Sequence, residues 1–260
     1  MGHFFFENFR FLILCWIALG LITFLYLIYS KRRAPYGRHV KKKHGILIDN
    51  SFGWFIMELP ALIIMPILSL QNSDNPFVIL IVFIWFLHYF NRSIIFPLRI
   101  NTKKKRIPIL IVLSAFTFNT INGLFNGYHV QINVSETNIF EYNIILGVLI
   151  FFIGMIINVT SDNKLISLRK EKMGYKIPNG KLFNFVSCPN YLGEIIEWFG
   201  FFILVPSIAS LSFFLWTSFN LIPRALNHHE WYNEKFKNYP KNGKTKSPSF
   251  SLFSSSTTIK

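Results

Sequence analysis

The sequence contains few charged residues. Asp, Glu, Lys and Arg make up 15% of its 260 residues, whereas hydrophobic residues make up 52%. Soluble domains contain about 25% charged residues. The composition therefore argues against an ordinary water-soluble enzyme and indicates an integral membrane protein.

Cysteines, metal-binding clusters and glycine-rich phosphate loops are scarce or missing. Cys15 and Cys188 are the only cysteines, and we expect them on opposite sides of a membrane, which excludes a disulfide framework. His228 and His229 would point about 100° apart on a helix, without further ligands at metal-binding spacing. Ser187 and Cys188 have no adjacent base in the sequence. These observations argue against a metal centre, a covalent nucleophile and a Rossmann or P-loop site.

Long apolar runs dominate what is present. A helix needs roughly 20 apolar residues to cross the hydrocarbon core. Such runs occupy residues 9–29, 52–70, 77–98, 107–127, 140–160, 190–206 and 208–225. The sequence therefore predicts an all-α, polytopic membrane protein, built as one bundle of seven transmembrane helices.

The positive charge alternates along the chain. The net charge is +15, and the Lys and Arg residues are concentrated in the first, third and fifth connections and after Arg224. The connections at 71–76, 128–139 and 206–208 contain neither residue. By the positive-inside rule, the N-terminus is lumenal and the C-terminus cytoplasmic. We interpret the basic clusters as contacts with anionic membrane lipids rather than with nucleic acid, and we expect a multi-pass protein of the endoplasmic reticulum membrane, or of the inner membrane in a bacterium.

The two halves of the chain differ in character. Residues 1–150 are apolar spans with short loops, whereas polar residues interrupt the apolar runs from Asn158 onward. We expect 1–150 to supply substrate-side helices, 151–240 to bind a polar ligand, and 241–260 to form a cytoplasmic tail.

Several polar residues fall inside the predicted spans. Glu58 lies near the middle of the second span, where a charged side chain costs about 2.5 kcal/mol or more. It should therefore face the bundle, and burial favours the protonated acid, which can donate a hydrogen bond. In the third span, His88 and Arg92 share one helix face, while Tyr89 points about 100° away, where it could face a cavity. A structural pair between neighbouring helices is the alternative interpretation of Glu58.

Three polar stripes follow in the second half of the chain. At spacings of three, four or seven residues, their members share helix faces. The stripes are Asp162 and Arg169; Asn190, Glu194 and Glu197; and Arg224, His228 and Tyr232. Each stripe alone could be a solvated helix end. Together they predict a nucleotide ligand, with Arg and His at the phosphates and Asp, Asn and Glu at the ribose and base edges.

Several motifs carry a resemblance to a known family. They include Gly53-Trp-Phe-Ile-Met-Glu58, His88-Tyr-Phe-Asn-Arg-Ser-Ile-Ile-Phe-Pro-Leu-Arg99, Ala115-Phe-Thr-Phe-Asn119, Asn158-Val-Thr-Ser-Asp162, Tyr175-Lys-Ile-Pro178, Val186-Ser-Cys-Pro-Asn-Tyr-Leu-Gly-Glu-Ile-Ile-Glu-Trp198, Pro223-Arg-Ala225 and Trp231-Tyr232. Over roughly residues 50–250 the chain resembles the steroid 5α-reductases, most closely the plant brassinosteroid-pathway type.

The resemblance implies an enzyme that uses NADPH to reduce the C4–C5 double bond of a 3-oxo-Δ4 steroid. It implies that Glu58 and Tyr89 hydrogen-bond the steroid 3-ketone. The residues that it implies for NADPH are Arg92, Asn158, Asp162, Arg169, Tyr175, Asn190, Glu194, Arg224, His228 and Tyr232. We expect the steroid to enter from the lipid, the cofactor to enter from the cytoplasm, and the protein to be a monomer.

The implied chemistry agrees with the polar residues of the spans. A hydride delivered to the β-carbon of an enone creates negative charge on the ketone oxygen, and donors at that oxygen stabilise the enolate. The sequence does not identify the group that then gives a proton to the α-carbon.

Two positions depart from the animal members of the family. This chain has Met57 where they have Gln before the acid, and Asn91 where they have His before the Arg. These departures leave the preferred steroid open. The alternatives are a trans-2-enoyl-CoA reductase of very-long-chain fatty acid elongation, a membrane methyltransferase that uses S-adenosylmethionine, and a sterol-binding protein without activity.

Overall fold

The computed structural model describes residues 2–30, 45–71, 74–100, 105–134, 140–170, 176–236 and 239. Their helices are α1 (Gly2–Ser30), α2 (Asn50–Ser69), α3 (Pro76–Phe90), α4 (Phe96–Arg99), α5 (Ile109–Asn133), α6 (Tyr142–Lys170), α7 (Pro189–Leu204) and α8 (Ile208–Lys235). The strands are β1 (Leu47–Asp49) and β2 (Arg106–Pro108). A π-helical turn, Asn91–Ile95, joins α3 to α4, and a 3₁₀ turn, Lys181–Asn184, precedes α7.

Five helical segments in the described part are long and apolar enough to cross a membrane. They are Glu7–Ser30, Asn50–Ser69, Pro76–Arg99, Ile109–Asn133 and Tyr142–Arg169. Large apolar side chains on these segments point outward; Phe11 is 63% exposed and Ile22 is 64% exposed. Such extensive apolar exposure is unfavourable in water and is expected for a surface in contact with lipid.

The predicted α-helical, multi-pass membrane protein is therefore confirmed. The finer prediction of seven spans is not, because α7 has 16 residues, fewer than the roughly 20 of a full span, and α8 is not among the five segments. The predicted orientation of the termini also stays a prediction.

A short antiparallel ribbon, which the sequence analysis did not predict, connects two of the helices. Leu47 pairs with Pro108 and Asp49 pairs with Arg106. Since α2 follows β1 directly and α5 follows β2, the ribbon brings the first turns of these helices together. Asp49 also caps α2, because its side chain accepts hydrogen bonds from the backbone N–H groups of Ser51 and Phe52 at 2.9 and 3.0 Å; this satisfies donors that a helix start leaves unpaired.

Glycines set the distance between α6 and α7. A Cβ built at Gly193 would lie 2.5 Å from the backbone nitrogen of Asn158, and one built at Gly147 would lie 2.6 Å from that of Leu204. Small residues let membrane helices approach backbone to backbone. The close approach places the polar ends of α6 and α7 side by side.

Aromatic rings fill the centre of the bundle. Trp85 of α3 is fully buried, packs against Trp198 and Phe213, and donates its Nε1–H to the carbonyl of Ala61 at 2.8 Å. At the edge of this core, α1 packs on α8, where the rings of Trp16 and Trp216 stack with centroids 4.6 Å apart. The ring of Trp216 lies over Gly20, where a Cβ would come within 2.7 Å of it. Buried Trp85 and the half-buried pair of Trp16 and Trp216 thus join the first, third and last helices to the bundle.

Candidate active site

An aromatic cavity lies between α2, α3, α5, α7 and α8. Its lining consists of Trp54, Met57, Glu58, His88, Tyr89, Arg92, Ile111, Ser114, Ala115, Phe118, Asn119, Glu194, Trp198, Phe213, Trp216, Thr217, Asn220, Leu221 and Arg224. Rings and aliphatic side chains form about half of the wall, and polar and charged groups form the rest. An apolar wall with convergent polar groups is typical of a site for a ligand that has both an apolar body and polar atoms.

Glu58 and Tyr89 are joined through Asn119 of α5. The Tyr89 hydroxyl donates to Oδ1 of Asn119 at 3.4 Å, and Nδ2 of Asn119 donates to Oε2 of Glu58 at 3.1 Å. Nδ2 also donates to the carbonyl of Met57 at 2.6 Å, which fixes the amide. The two residues predicted to face a substrate thus lie in one cavity and one hydrogen-bonded group. Asn119 was quoted in a motif, but the sequence analysis gave it no role.

His88 and Glu197 form a second polar group at the same cavity. His88 Nδ1 and Glu197 Oε1 are 2.8 Å apart, and the residues are 4% and 0% exposed. The sequence analysis placed Glu197 on the stripe of Asn190 and Glu194, facing a nucleotide. The structure instead turns Glu197 toward α3. Three residues along a helix are about 60° short of a full turn, and this angle is enough to place Glu194 and Glu197 against different neighbours.

A polar cavity lies beside the aromatic one. Its lining consists of Asn50, Trp54, Arg92, Phe96, Ile100, Lys105, Arg106, Asp162, Leu165, Ile166, Arg169, Ser187, Cys188, Asn190, Tyr191, Glu194, His228 and Tyr232. Four cationic side chains and two carboxylates belong to this set. Arg106 belongs to β2 and Lys105 directly precedes it. Sequence reasoning missed both as site residues because no pattern in the sequence indicates a strand of three residues.

Arg92 stands at the boundary of the two cavities. Trp54, Arg92 and Glu194 line both. The Arg92 guanidinium lies 4.6 Å from the centre of the Trp54 ring and within 3.5, 3.8 and 4.0 Å of the carboxylates of Asp162, Glu194 and Glu58. A cation among three acids, stacked on an indole, is held in one place by both charge and shape.

Amide side chains support the carboxylates of the polar cavity. Asn190 donates to Oδ1 of Asp162 at 3.1 Å. Asn158 donates to the carbonyl of Asn190 at 2.9 Å and faces Oε2 of Glu194 at 3.5 Å. Asn158 does not line the cavity itself, so it supports Asn190 and Glu194 from behind.

The structure brings together most of the residues predicted to bind a nucleotide. Those that line the polar cavity are Arg92, Asp162, Arg169, Asn190, Glu194, His228 and Tyr232. Arg224 lines the aromatic cavity instead, because it lies one turn before His228 on α8 and so one turn deeper in the bundle. Tyr175 lies outside the described residues.

A hydrogen-bonded cluster holds the segment that precedes α7. Ser187 Oγ is 2.8 Å from Nδ1 of His229 and 2.9 Å from the hydroxyl of Tyr239. His229 is thus the base that the sequence did not place beside Ser187. Burial lowers the pKa of His229, and the neighbouring Glu230 raises it in part. The cluster fixes Ser187 and Cys188 at the wall of the polar cavity.

A helical membrane protein with a polar, cationic cavity joined to an aromatic one is the class that the fold and the site define. Residues 105–250 match the family model of 3-oxo-5-alpha-steroid 4-dehydrogenases. The chain is 38% identical to the steroid 5-alpha-reductase DET2 of Gossypium hirsutum, with 92% of this chain and 96% of the relative covered. It is 39% identical to DET2 of Arabidopsis thaliana, over 92% and 95% of the two chains.

Animal relatives match as well. The chain is 39% identical to the 3-oxo-5-alpha-steroid 4-dehydrogenase 1 of Rattus norvegicus, with 81% of this chain and 84% of the relative covered. The chain belongs to the steroid 5α-reductase family and is an oxidoreductase. The family resemblance of the sequence motifs is therefore confirmed.

Proposed function

We propose that the protein reduces the C4–C5 double bond of a 3-oxo-Δ4 steroid with NADPH. The observation that carries the proposal is the junction of the two cavities at Trp54, Arg92 and Glu194. A dinucleotide in the polar cavity and a steroid in the aromatic cavity would meet at that junction. Membership of the family supports the same reaction.

The lining of the polar cavity fits NADPH. Its phosphates need cations, which Lys105, Arg106 and Arg169 supply. Its ribose hydroxyls and carboxamide need hydrogen-bond acceptors and donors, which Asp162 and Asn190 supply. When bound, NADPH supplies a hydride. The proposed set is completed by Arg92, Asn158, Tyr175, Glu194, Arg224, His228 and Tyr232.

The aromatic cavity fits a steroid ketone. Flat rings such as those of Phe118, Phe213 and Trp216 offer apolar contact to a rigid, flat ligand. Glu58 as a protonated acid and Tyr89 as a phenol would donate hydrogen bonds to the 3-ketone oxygen. As C5 accepts the hydride, that oxygen becomes an enolate, and preorganised donors stabilise it more than the ground state.

The apolar steroid and the charged cofactor should reach the site from different sides of the protein. We propose that the steroid enters from the bilayer and that the cofactor enters from the cytoplasm, in a protein of the endoplasmic reticulum membrane. Basic residues of the predicted cytoplasmic connections, Lys105 and Arg106, line the polar cavity, which supports this orientation by the positive-inside rule. We also propose that one chain is sufficient for activity, since both cavities lie within it.

Membranes that contain the protein test the proposal when they are incubated with NADPH and a panel of 3-oxo-Δ4 steroids. We expect a product two mass units heavier than the substrate. Glu58→Gln replaces an acidic O–H donor with a weaker amide N–H, and Tyr89→Phe removes the donor. Each should lower kcat by about 100-fold, the scale of one oxyanion donor, and should keep NADPH binding. Thr120→Ala, which changes the far side of α5, is the control. No steroid reduction by the unmodified protein, or full turnover in both site variants, would contradict the proposal.

A further inference from the structure

The buried pair of His88 and Glu197 has no part in binding the ketone oxygen as described above. Nδ1 of His88 and Oε1 of Glu197 are 2.8 Å apart, and Glu197 is fully buried. The second carboxyl oxygen, Oε2, has no hydrogen-bond partner within the described residues. An orphaned oxygen on a fully buried acid requires an explanation.

The burial of Glu197 requires a proton within the pair. A buried, isolated carboxylate is very costly, and it becomes tolerable when it is paired with a cation or neutralised by a proton. The pair is then either an imidazolium with a carboxylate or a neutral imidazole with a carboxylic acid. In each form one proton lies between Nδ1 and Oε1, and a second proton is bonded to Nε2 of the imidazole. Because Glu197 occupies Nδ1, Nε2 is the nitrogen available to the aromatic cavity, which His88 lines.

The position of His88 matches the carbon that needs a proton. His88 precedes Tyr89 in α3, and their ring centroids are 5.0 Å apart. Both residues line the aromatic cavity. C4 of the steroid is bonded to the carbonyl carbon whose oxygen Tyr89 would bind. A donor beside Tyr89 in the same cavity therefore lies close to C4.

The other titratable groups of the aromatic cavity are engaged differently. Glu58 and Tyr89 hold the ketone oxygen, so a proton from them goes to oxygen and not to carbon. Arg92 and Arg224, which also line this cavity, are too weakly acidic to give up a proton. Glu194 faces Arg92 at 3.8 Å and Asn158 at 3.5 Å, on the side of the polar cavity.

We propose that His88, supported by Glu197, donates the proton that C4 of the steroid enolate receives. This inference rests on the proposed steroid reduction. The Nε2–H bond breaks, its proton forms the new C4–H bond with the electron pair of the enolate, and the electrons of the broken bond stay on Nε2. The proton between Nδ1 and Oε1 then resides on Nδ1, and Glu197 is left as the carboxylate. Water reprotonates the pair before the next turnover.

Replacement of His88 by asparagine tests the assignment. His88→Asn can keep a donor near Glu197, in the place of Nδ1, but it removes the Nε2–H. We expect kcat for the steroid to fall by about 100-fold, as general acids contribute 10²–10⁴-fold. We expect NADPH binding, measured by fluorescence, to stay near that of the unmodified protein. His129→Asn, the same substitution at a histidine of α5 outside both cavities, is the matched control.

Isotope effects separate proton donation from a structural role. In His88→Asn, protonation by water becomes slow, so the solvent deuterium isotope effect on kcat should rise while the effect of deuterated NADPH falls. In His88→Ala, added imidazole should restore part of the turnover. Glu197→Gln, which keeps a polar partner for Nδ1, should raise the solvent isotope effect in the same direction, and it provides the test if His88 variants do not fold.

The outcomes distinguish the two proposals. If the unmodified protein forms no reduced steroid, the proposed function fails. If it does, either of two results would assign the proton donor to another group. In the first, His88→Asn retains kcat. In the second, His88→Asn loses kcat, but its solvent isotope effect does not increase and imidazole does not restore turnover in His88→Ala. If only Glu197→Gln can be measured, an unchanged solvent isotope effect has the same meaning.

Discussion

Nδ2 of Asn119 donates a hydrogen bond to Oε2 of Glu58 at 3.1 Å, and this bond ties α5 to α2 inside the aromatic cavity. The same amide accepts from the hydroxyl of Tyr89. Asn119 is 4% exposed. One side chain therefore positions both proposed donors before any substrate arrives, and we propose that the Tyr89 O–H turns from Asn119 to the ketone oxygen when the steroid binds.

Loss of the Asn119 amide should impair turnover more than binding. In Asn119→Ala, Glu58 and Tyr89 lose their common partner and must be oriented by the substrate. We expect kcat to fall by about 10-fold or more, since small misplacements of catalytic groups cost up to about 10²-fold, and NADPH affinity to remain unchanged. Steady-state kinetics with both substrates measure this split. Equal losses of kcat in Asn119→Ala and the control Thr120→Ala would argue against the bridging role.

Replacing a glycine at the contact between α6 and α7 by a residue with a side chain should destabilise the protein. Gly193→Ala places a Cβ against the backbone of Asn158, and overpacking of this kind costs about 1–3 kcal/mol. We expect a lower midpoint of thermal unfolding in detergent and weaker NADPH binding, because the helix ends that carry Asp162 and Asn190 move apart. Ile156→Ala is the control, since Ile156 is 61% exposed on α6, the helix that Gly193 contacts. A midpoint in Gly193→Ala equal to that of the control would show that the helices can separate freely.

Hydrophobic runs and buried charges could be recognised from the sequence because membrane insertion constrains both strongly. Glu58 and Tyr89 were predicted to face one cavity, and they do. Asp162 and Arg169, which the spacing predicted to share a helix face, both line the polar cavity. Each of these predictions depends on one helix at a time, where a period of 3.6 residues is sufficient.

Relationships between helices could not be predicted in the same way. Asn119 meets Glu58 and Tyr89 across 61 and 30 residues of sequence. Arg106 reaches the polar cavity because β2 pairs with β1. Glu197 was assigned to the wrong neighbour, since helical spacing says which residues share a face but not which helix lies opposite.

Arg169 should help to distinguish NADPH from NADH. Arg169 lines the polar cavity with Lys105 and Arg106, and we propose that these cations bind the phosphates of NADPH. A hydrogen bond to a charged group is worth about 1.5–3 kcal/mol, so Arg169→Ala should raise the KM for NADPH by about 10-fold or more. The KM for NADH, which lacks the 2′-phosphate, should change less. Lys164→Ala, at an exposed lysine of α6, is the control. An equal rise in the KM values for NADPH and NADH would place Arg169 away from the 2′-phosphate.

The cluster of Ser187, His229 and Tyr239 should make stability depend on pH. Burial lowers the pKa of His229 from its ordinary value of 6.5. Between the lowered pKa and 6.5, the folded protein binds fewer protons than the unfolded chain, so stability is lost as the pH falls below about 6.5. We expect the thermal midpoint to fall between pH 7.5 and pH 5.5, and to fall less in His229→Asn. An identical fall in both proteins would assign the pH dependence to other groups.

The position of transferred deuterium tests the central claim most directly. Membranes that contain the protein would be incubated with a 3-oxo-Δ4 steroid and NADPH that carries deuterium at the transferable position, and the product would be analysed by NMR and mass spectrometry. We predict one deuterium at C5, a hydrogen from water at C4 and an intact 3-ketone. Deuterium at C3, with an alcohol in place of the ketone, or no transfer of the label, would contradict the account.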